Sequence, residues 1–122
     1  MIIGIPVDKD SMDANVSTHF GRADFFLVYN TENKESNFVL NTAANSAGGA
    51  GIKAAQIIID HKVEALISPR LGLNAADVIN SQNIKLYQSI KGTIEENLKA
   101  FSENELSPLN DIHEGFHKNG RW

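Results

Sequence analysis

The segment HEGFH, at residues 113–117, has the spacing of the H-E-x-x-H motif found in zinc peptidases. In that motif, two histidines four residues apart on a buried helix bind zinc, and the glutamate acts as general base on the zinc-bound water. The chemistry also needs a third ligand further along the chain, but no His, Asp or Glu follows His117. Gly115 costs the helix about 1 kcal/mol relative to alanine. We therefore interpret the match as coincidental and predict a flexible tail over residues 107–122, with weak metal binding by His113 and His117 as the alternative.

A second histidine, His19, lies in the segment STHFGRADFF at residues 17–26. Imidazole is a common metal ligand, although a lone histidine is more often a structural or surface residue. Gly21, two residues later, could adopt a backbone angle that other residues resist. His61 follows the last residues of a predicted helix, where an imidazolium interacts favourably with the helix dipole, and we assign it a structural role.

Two glycine-containing segments could bind an anion. GGAG, at residues 48–51, opens a predicted helix and leaves backbone N–H groups near the positive end of its dipole. The alternative is that these glycines only permit a tight turn and close packing. PRLG, at residues 69–72, follows a predicted buried strand in a similar way. Arg70 in that segment could contact a negative ligand or remain solvated at the surface.

Hydrophobic periodicity predicts five strands and three helices. Thr93 and Glu96 have the spacing of a capping box, and Asn74 is the predicted N-cap of the second helix. The periodic pattern ends at Leu106, so we predict one domain over residues 1–106. The predicted strands are residues 2–7, 23–30, 36–41, 63–68 and 84–88, and the predicted helices are residues 48–61, 73–82 and a segment beginning after Thr93.

The element order βββαβαβα predicts an α/β fold with three layers, α/β/α. The arrangement is ribonuclease-H-like, with a mixed five-stranded sheet in the order 3-2-1-4-5 and strand 2 antiparallel. Open α/β sheets bind ligands where the direction of chain progression reverses, beside the carboxyl ends of the parallel strands. We therefore expect a site at the edge where four loops meet, namely residues 8–22, 41–51, 69–72 and 89–92.

Composition excludes several classes of function. The net charge is −4 and the 11 Lys and Arg residues are dispersed, so we expect no nucleic-acid binding. The chain has no cysteine, so it can form no disulfide and can supply no thiolate ligand. It shows no signal peptide and no apolar stretch of about 20 residues, so we expect a cytoplasmic protein without membrane association. A nuclease would need several carboxylates at the site, where Asp8 is the only candidate at the end of a strand.

Taken together, the motifs resemble the dinitrogenase iron-molybdenum cofactor biosynthesis family of small ribonuclease-H-like domains. The resemblance covers about residues 1–103 and rests on IPVD, VSTHFGRADFF, NSAGGAGIKAAQ, PRLGLNAAD and KGTIEENLKAF, in that order. It implies binding of the iron-molybdenum cofactor or a related anionic iron-sulfur cluster, with His19 as the metal ligand. The implied binding residues are His19, Phe20, Gly21, Arg22, Gly48, Gly49, Ala50, Gly51, Arg70 and Gly72.

We accordingly predict a monomeric, non-catalytic carrier of a metallocluster or its precursor, which exchanges cargo with cluster donor or acceptor proteins. A single histidine with backbone amides would make a loose site from which the cluster can be transferred. One alternative is a regulatory module that binds a small, nucleotide-like anion through GGAG and PRLG without metal. Another is an enzyme of unknown chemistry.

Overall fold

The computed structural model describes residues 1–113, which fold into seven strands and three helices. The strands are β1 (Ile2–Val7), β2 (Phe25–Asn30), β3 (Ser36–Leu40), β4 (Ala65–Ser68), β5 (Leu71–Gly72), β6 (Lys85–Gln88) and β7 (Ile112–His113), and the helices are α1 (Ala50–Asp60), α2 (Leu73–Ser81) and α3 (Ile94–Ser102). No helix in this part of the chain has the length and apolar character needed to span a bilayer.

Five strands form one mixed sheet in the order β3-β2-β1-β4-β6. Strand β2 is antiparallel to both of its neighbours, whereas β4 is parallel to β1 and to β6. The predicted strand order and the antiparallel second strand are confirmed. The fifth predicted strand is β6 because the two-residue strand β5 precedes α2 and lies outside the main sheet.

Each face of the sheet has its own core. Helices α1 and α2 pack on one face through residues that include Ala55, Ile58 and Ile79, and α3 packs on the other face through Ile94. Strand β4 contributes to both cores, because Leu66 and Ile67 alternate in direction along the strand. A central strand covered on both faces must be apolar throughout, which explains the uninterrupted run in its sequence.

The helix starts and inward faces differ in detail from the prediction. The N-cap of α2 is Gly72 and not Asn74, since the helix begins at Leu73. In α1, the helical spacing of Ile52, Ala55, Ile58 and Ile59 predicts one apolar face, but Ile52 is 45% exposed whereas Ile58 is buried. The capping box of α3 is confirmed: Glu96 N–H donates to Thr93 Oγ1 at 3.2 Å, and Thr93 N–H donates to Glu96 Oε1 at 2.9 Å.

Residues 107–113, which we call the C-terminal segment, lie against the domain. Gln88 N–H donates to the Ser107 carbonyl at 2.7 Å, Leu109 N–H donates to the Leu86 carbonyl at 3.1 Å, and the Leu109 side chain is buried. The segment ends in β7, which pairs in parallel with β5. The domain boundary predicted after residue 106 therefore cuts across these contacts. Residues 114–122, the rest of the predicted tail, lie outside the described residues.

The buried amide of Asn97 on α3 holds the preceding loop against the helix. Its Nδ2 donates to the carbonyls of Ile90 and Thr93 at 3.1 and 2.9 Å, and its Oδ1 accepts from Ile90 N–H at 2.8 Å. The side chain is 0% exposed. Removing it would leave the partly buried N–H and carbonyl of Ile90 without this partner, at about 1–3 kcal/mol for each group that stays shielded from water.

We predict that Asn97→Leu lowers the free energy of unfolding by about 3 kcal/mol, because the leucine cannot bond to the N–H and the carbonyl of Ile90. Asn80→Leu is the control, since Asn80 is exposed on α2 and should change stability by less than about 0.5 kcal/mol. Urea unfolding followed by circular dichroism measures both. Equal stabilities of the two variants would contradict the role assigned to Asn97.

Candidate functional site

The loop after β1 places His19 at the surface by burying its neighbour. The Phe20 ring lies in the core against the Phe26 ring, with centroids 5.1 Å apart. Next to this anchor, His19 N–H donates to Ser17 Oγ at 3.2 Å and the His19 carbonyl accepts from Arg22 N–H at 3.2 Å, which forms a short turn. The imidazole of His19 is exposed. Phe20 is one of the predicted binding residues, but its ring is therefore largely buried in the core.

A buried asparagine, Asn41, ties this loop to the loop that precedes α1. Asn41 Nδ2 donates to the carbonyls of Gly21 and Ala23 at 3.2 and 2.8 Å, and its Oδ1 accepts from Ala43 N–H at 3.1 Å. The side chain is 3% exposed, so these bonds are shielded from water. The sequence prediction placed Asn41 at the end of a strand and missed this role. An Asx turn, in which the side chain accepts from the backbone two residues on, was the available signal.

Arg22 makes a second connection between the same two loops. Its Nη1 donates to the carbonyls of Ala44 and Ser46 at 2.7 and 2.9 Å. Carbonyl groups carry no net charge, so these bonds do not neutralise the guanidinium. No carboxylate in residues 1–113 forms an ion pair with it. Arg22 thus positions the loops and supplies a positive charge beside His19.

Gly21 allows the His19 loop to lie directly on the first turn of α1. A Cβ atom at Gly21 would come within 3.1 Å of Gly51 N and 3.2 Å of Gly51 Cα. The hypothesis that Gly21 adopts an unusual backbone angle is wrong, because the positive φ in this region belongs to Gly49, at 69°. Gly21 is needed for space and Gly49 for its turn into the helix.

The N-termini of α1 and α2 meet at the same place. Gly49 and Gly72 are the N-cap residues, neither supplies a side-chain acceptor, and neither helix has an acidic residue in its first turn. A Cβ atom at Gly51 would lie 3.7 Å from Ala75 Cβ, so the two first turns are adjacent. Each helix N-terminus carries about half a positive charge on its N–H groups. The pair therefore favours an anion.

These loops and helix starts enclose a hollow of about 430 Å³, within the usual range for small-ligand sites. All ten residues predicted to bind a ligand border it: His19, Phe20, Gly21, Arg22, Gly48, Gly49, Ala50, Gly51, Arg70 and Gly72. Three of the four predicted loops contribute, whereas the fourth, residues 89–92, contacts α3 through Ile90 and does not border the hollow. Within the described chain, no Asp or Glu borders the hollow.

Arg70 reaches the hollow but is paired. Its Nε lies 3.8 Å from Asp111 Oδ2, and the two side chains are 46% and 56% exposed. An exposed pair at that distance contributes little to stability and is readily rearranged. The backbone contact is firmer, since Leu71 N–H donates to the Asp111 carbonyl at 2.9 Å. Asp111 therefore connects the PRLG segment to the C-terminal segment.

A second imidazole, that of His113, also borders the hollow. His113 pairs with Gly72 in the β5–β7 ladder, and a Cβ atom at Gly72 would lie 3.7 Å from His113 Cε1. Burial lowers the pKa of His113 and the Arg70 charge lowers it further, while Asp111 opposes the shift. Burial and the Arg70 charge thus favour the neutral form of the ring. The sequence prediction assigned His113 to a flexible tail and did not place it in the site. The apolar Leu109 and Ile112 were the available signal of a docked segment.

The donor set of the hollow fits an anionic metal cluster better than a bare metal ion. No group of three or more His, Asp or Glu residues able to hold a metal occurs in residues 1–113. The rest of the HEGFH motif, residues 114–117, lies outside the described residues. Imidazole nitrogen can bind a metal of a cluster, while amides and arginines offer hydrogen bonds and positive charge to its sulfides.

We predict that Gly21→Ala lowers the free energy of unfolding by about 1–3 kcal/mol, because its methyl group would press on the α1 backbone, which cannot move without shifting the helix. Gly48→Ala is the matched control in the neighbouring loop, since a Cβ atom there meets nothing within 4 Å. Chemical denaturation compares the two. If Gly21→Ala were as stable as Gly48→Ala, the close approach of the loop to α1 would be contradicted.

Proteins of known structure share this fold. The apo form of the orange protein from Desulfovibrio gigas matches with a TM-score of 0.85 at 23% identity, covering 90% of this chain and 93% of that one. A proposed NifB protein from Thermotoga, solved by NMR, matches with a TM-score of 0.79 at 33% identity, covering 98% of each chain.

The chain is also similar in sequence to a protein of Methanocaldococcus jannaschii. This uncharacterized protein is 32% identical over 109 residues, which cover 87% of this chain and 89% of its own length. The profile of the dinitrogenase iron-molybdenum cofactor family matches residues 1–104, a range that contains all ten predicted binding residues. The similarity thus extends across the sheet, the helices and the hollow, and the chain belongs to the dinitrogenase iron-molybdenum cofactor family.

Proposed function

We propose that this protein is a non-catalytic carrier that binds the iron-molybdenum cofactor, or a related anionic metal-sulfur cluster, in the hollow. The observation that carries the proposal is the placement of the exposed His19 imidazole beside two adjacent helix N-termini that lack acceptor side chains. Membership of the family supports the nature of the cargo.

Local charge explains how an acidic protein would attract an anion. The chain has a net charge of −4, which by itself repels an anionic cluster. The lining of the hollow is positive instead, since Arg22 and the two helix N-termini are positive and no described carboxylate borders it, while Arg70 is paired with Asp111 outside the hollow. Sulfides of a cluster accept hydrogen bonds from backbone N–H groups, and such bonds stabilise the charged cluster.

The small number of protein ligands is consistent with transfer. No thiolate is available because the chain lacks cysteine, so His19 would hold the cluster mainly through one metal-nitrogen bond. The remaining interactions are hydrogen bonds and charge, which can be exchanged without breaking strong metal-sulfur bonds to the carrier. His19 is exposed, and an acceptor protein could therefore approach the bound cluster from solvent. We propose that donor and acceptor proteins exchange the cluster at this opening.

The second candidate is a regulatory module that binds a metal-free anion. The observation that favours it is the same pair of helix N-termini, which together with Arg22 could bind a phosphate group without using His19. The two candidates therefore differ in one residue. A cluster carrier needs the His19 imidazole, whereas a phosphate-binding module does not.

We predict that the wild-type protein retains the isolated iron-molybdenum cofactor through anaerobic gel filtration, and that His19→Ala weakens retention at least about tenfold, because the metal-nitrogen bond is lost. Iron and molybdenum analysis of the protein fraction measures retention. His61→Ala is the control, since that ring lies at the other end of α1, within 2.9 Å of the Ile57 carbonyl. Failure of the wild type to retain the cofactor, or full retention by His19→Ala, would refute the carrier proposal.

The same proteins distinguish the second candidate. Calorimetric titration with inorganic phosphate and with ADP should give no binding to a dedicated cluster carrier at micromolar concentrations. Binding of either anion with equal affinity to the wild type and to His19→Ala, combined with no retention of the cofactor, would establish the metal-free module instead.

A further inference from the structure

The C-terminal segment is held in place by several independent contacts. The Leu109 side chain is buried in the core on the α1 and α2 face. Backbone bonds join the segment to β6 at Gln88 and to β5 at Leu71. Its last two residues form the β5–β7 ladder. The position of His113 thus follows from main-chain pairing, which fixes the register of the residue against Gly72.

The two imidazoles lie beside the N-termini of different helices. The turn that carries His19 lies on the first turn of α1, through the close approach of Gly21 to Gly51. His113 lies beside Gly72, the N-cap of α2, with its Cε1 atom 3.7 Å from the Cβ position of that glycine. Both rings border the one hollow. A ligand seated between the two helix N-termini would therefore meet a histidine from each side.

The His113 ring brings to the hollow a kind of ligand that the residues beside it do not supply. The neighbouring Arg70 could not act as a ligand, because a guanidinium does not lose its proton in proteins. Asp111 is directed to Arg70 and does not border the hollow. Among the described residues of the C-terminal segment, only His113 borders the hollow with an atom that can bind a metal.

We propose that His113 is a second ligand of the cluster that His19 binds, so that the C-terminal segment forms one wall of the binding site. This inference rests on the proposed carrier function and extends it. One imidazole lies on the loop after β1 and the other on β7. Together they could bind two metals of one cluster, or two coordination positions of one metal, and would be more selective than a single histidine. This arrangement would also couple cluster binding to docking of β7 on β5.

The test compares three variants with the wild type loaded with the iron-molybdenum cofactor. His113→Phe keeps a planar ring in the ladder but removes the nitrogen, and His113→Gln provides a second replacement if the thermal midpoint of His113→Phe differs from wild type. Asp111→Ala removes the exposed ion pair with Arg70 and leaves the imidazole in place. Readouts are retention of iron and molybdenum, and pulsed electron paramagnetic resonance of protein labelled with ¹⁵N-histidine.

We predict that His113→Phe and His113→Gln weaken retention about tenfold and remove one of two histidine nitrogen couplings, while Asp111→Ala stays within about twofold of wild type. Wild-type retention and couplings in both His113 variants would overturn the second ligand and leave the carrier proposal intact, provided that His19→Ala still fails to retain the cofactor. No retention by the wild type would overturn both proposals.

Discussion

The hollow depends on the buried side-chain amide of Asn41. The loop after β1 and the loop before α1 are separate in sequence, and the β2–β3 ladder joins them only at their ends, where Asn41 N–H donates to the Asp24 carbonyl at 3.0 Å. Side chains connect the rest of the two loops. Asn41, in the second loop, donates to two carbonyls of the first loop and accepts from Ala43 N–H, while Arg22, in the first loop, donates to two carbonyls of the second. Because Asn41 is shielded from water, breaking these bonds would leave buried polar groups unsatisfied. This connection brings the His19 loop close enough to α1 for Gly21 to contact Gly51.

Once the loops are fixed, the chemistry of the hollow follows from what borders it. Two helices begin there without acceptor side chains, and two arginines are nearby, so a region of positive potential exists in a protein of net charge −4. Positive potential alone would select any small anion. Imidazole adds selectivity for a metal, and the absence of cysteine from the chain prevents the tight thiolate ligation that would make release slow. A carrier needs this combination of attraction and exchange.

The architecture and the meeting of the loops could be predicted because they follow from periodic patterns. Apolar strands separated by amphipathic helices specified the sheet order, and the reversal of chain direction at β1 located the edge where loops converge. The tertiary polar contacts could not be predicted in this way, since Asn41 and Arg22 bind backbone carbonyls that no sequence pattern marks. The two-residue strand β7 is too short to show a periodicity, and His113 was therefore assigned to a tail. Gly21 was singled out for its backbone angle, whereas the structure shows that it leaves space for the first turn of α1.

Amide NMR of the ¹⁵N-labelled protein during anaerobic addition of the iron-molybdenum cofactor can locate an anion bound between the two helix N-termini beside His19. We predict that the signals of residues 48–52 and 72–75 broaden first, because these amides border the hollow. A second cleft on the α3 side, lined by Lys34, Lys85 and Lys99, is the natural comparison, since lysines there could attract the same anion. Broadening centred on that cleft, with the helix N-termini unaffected, would show that the cluster does not bind in the hollow.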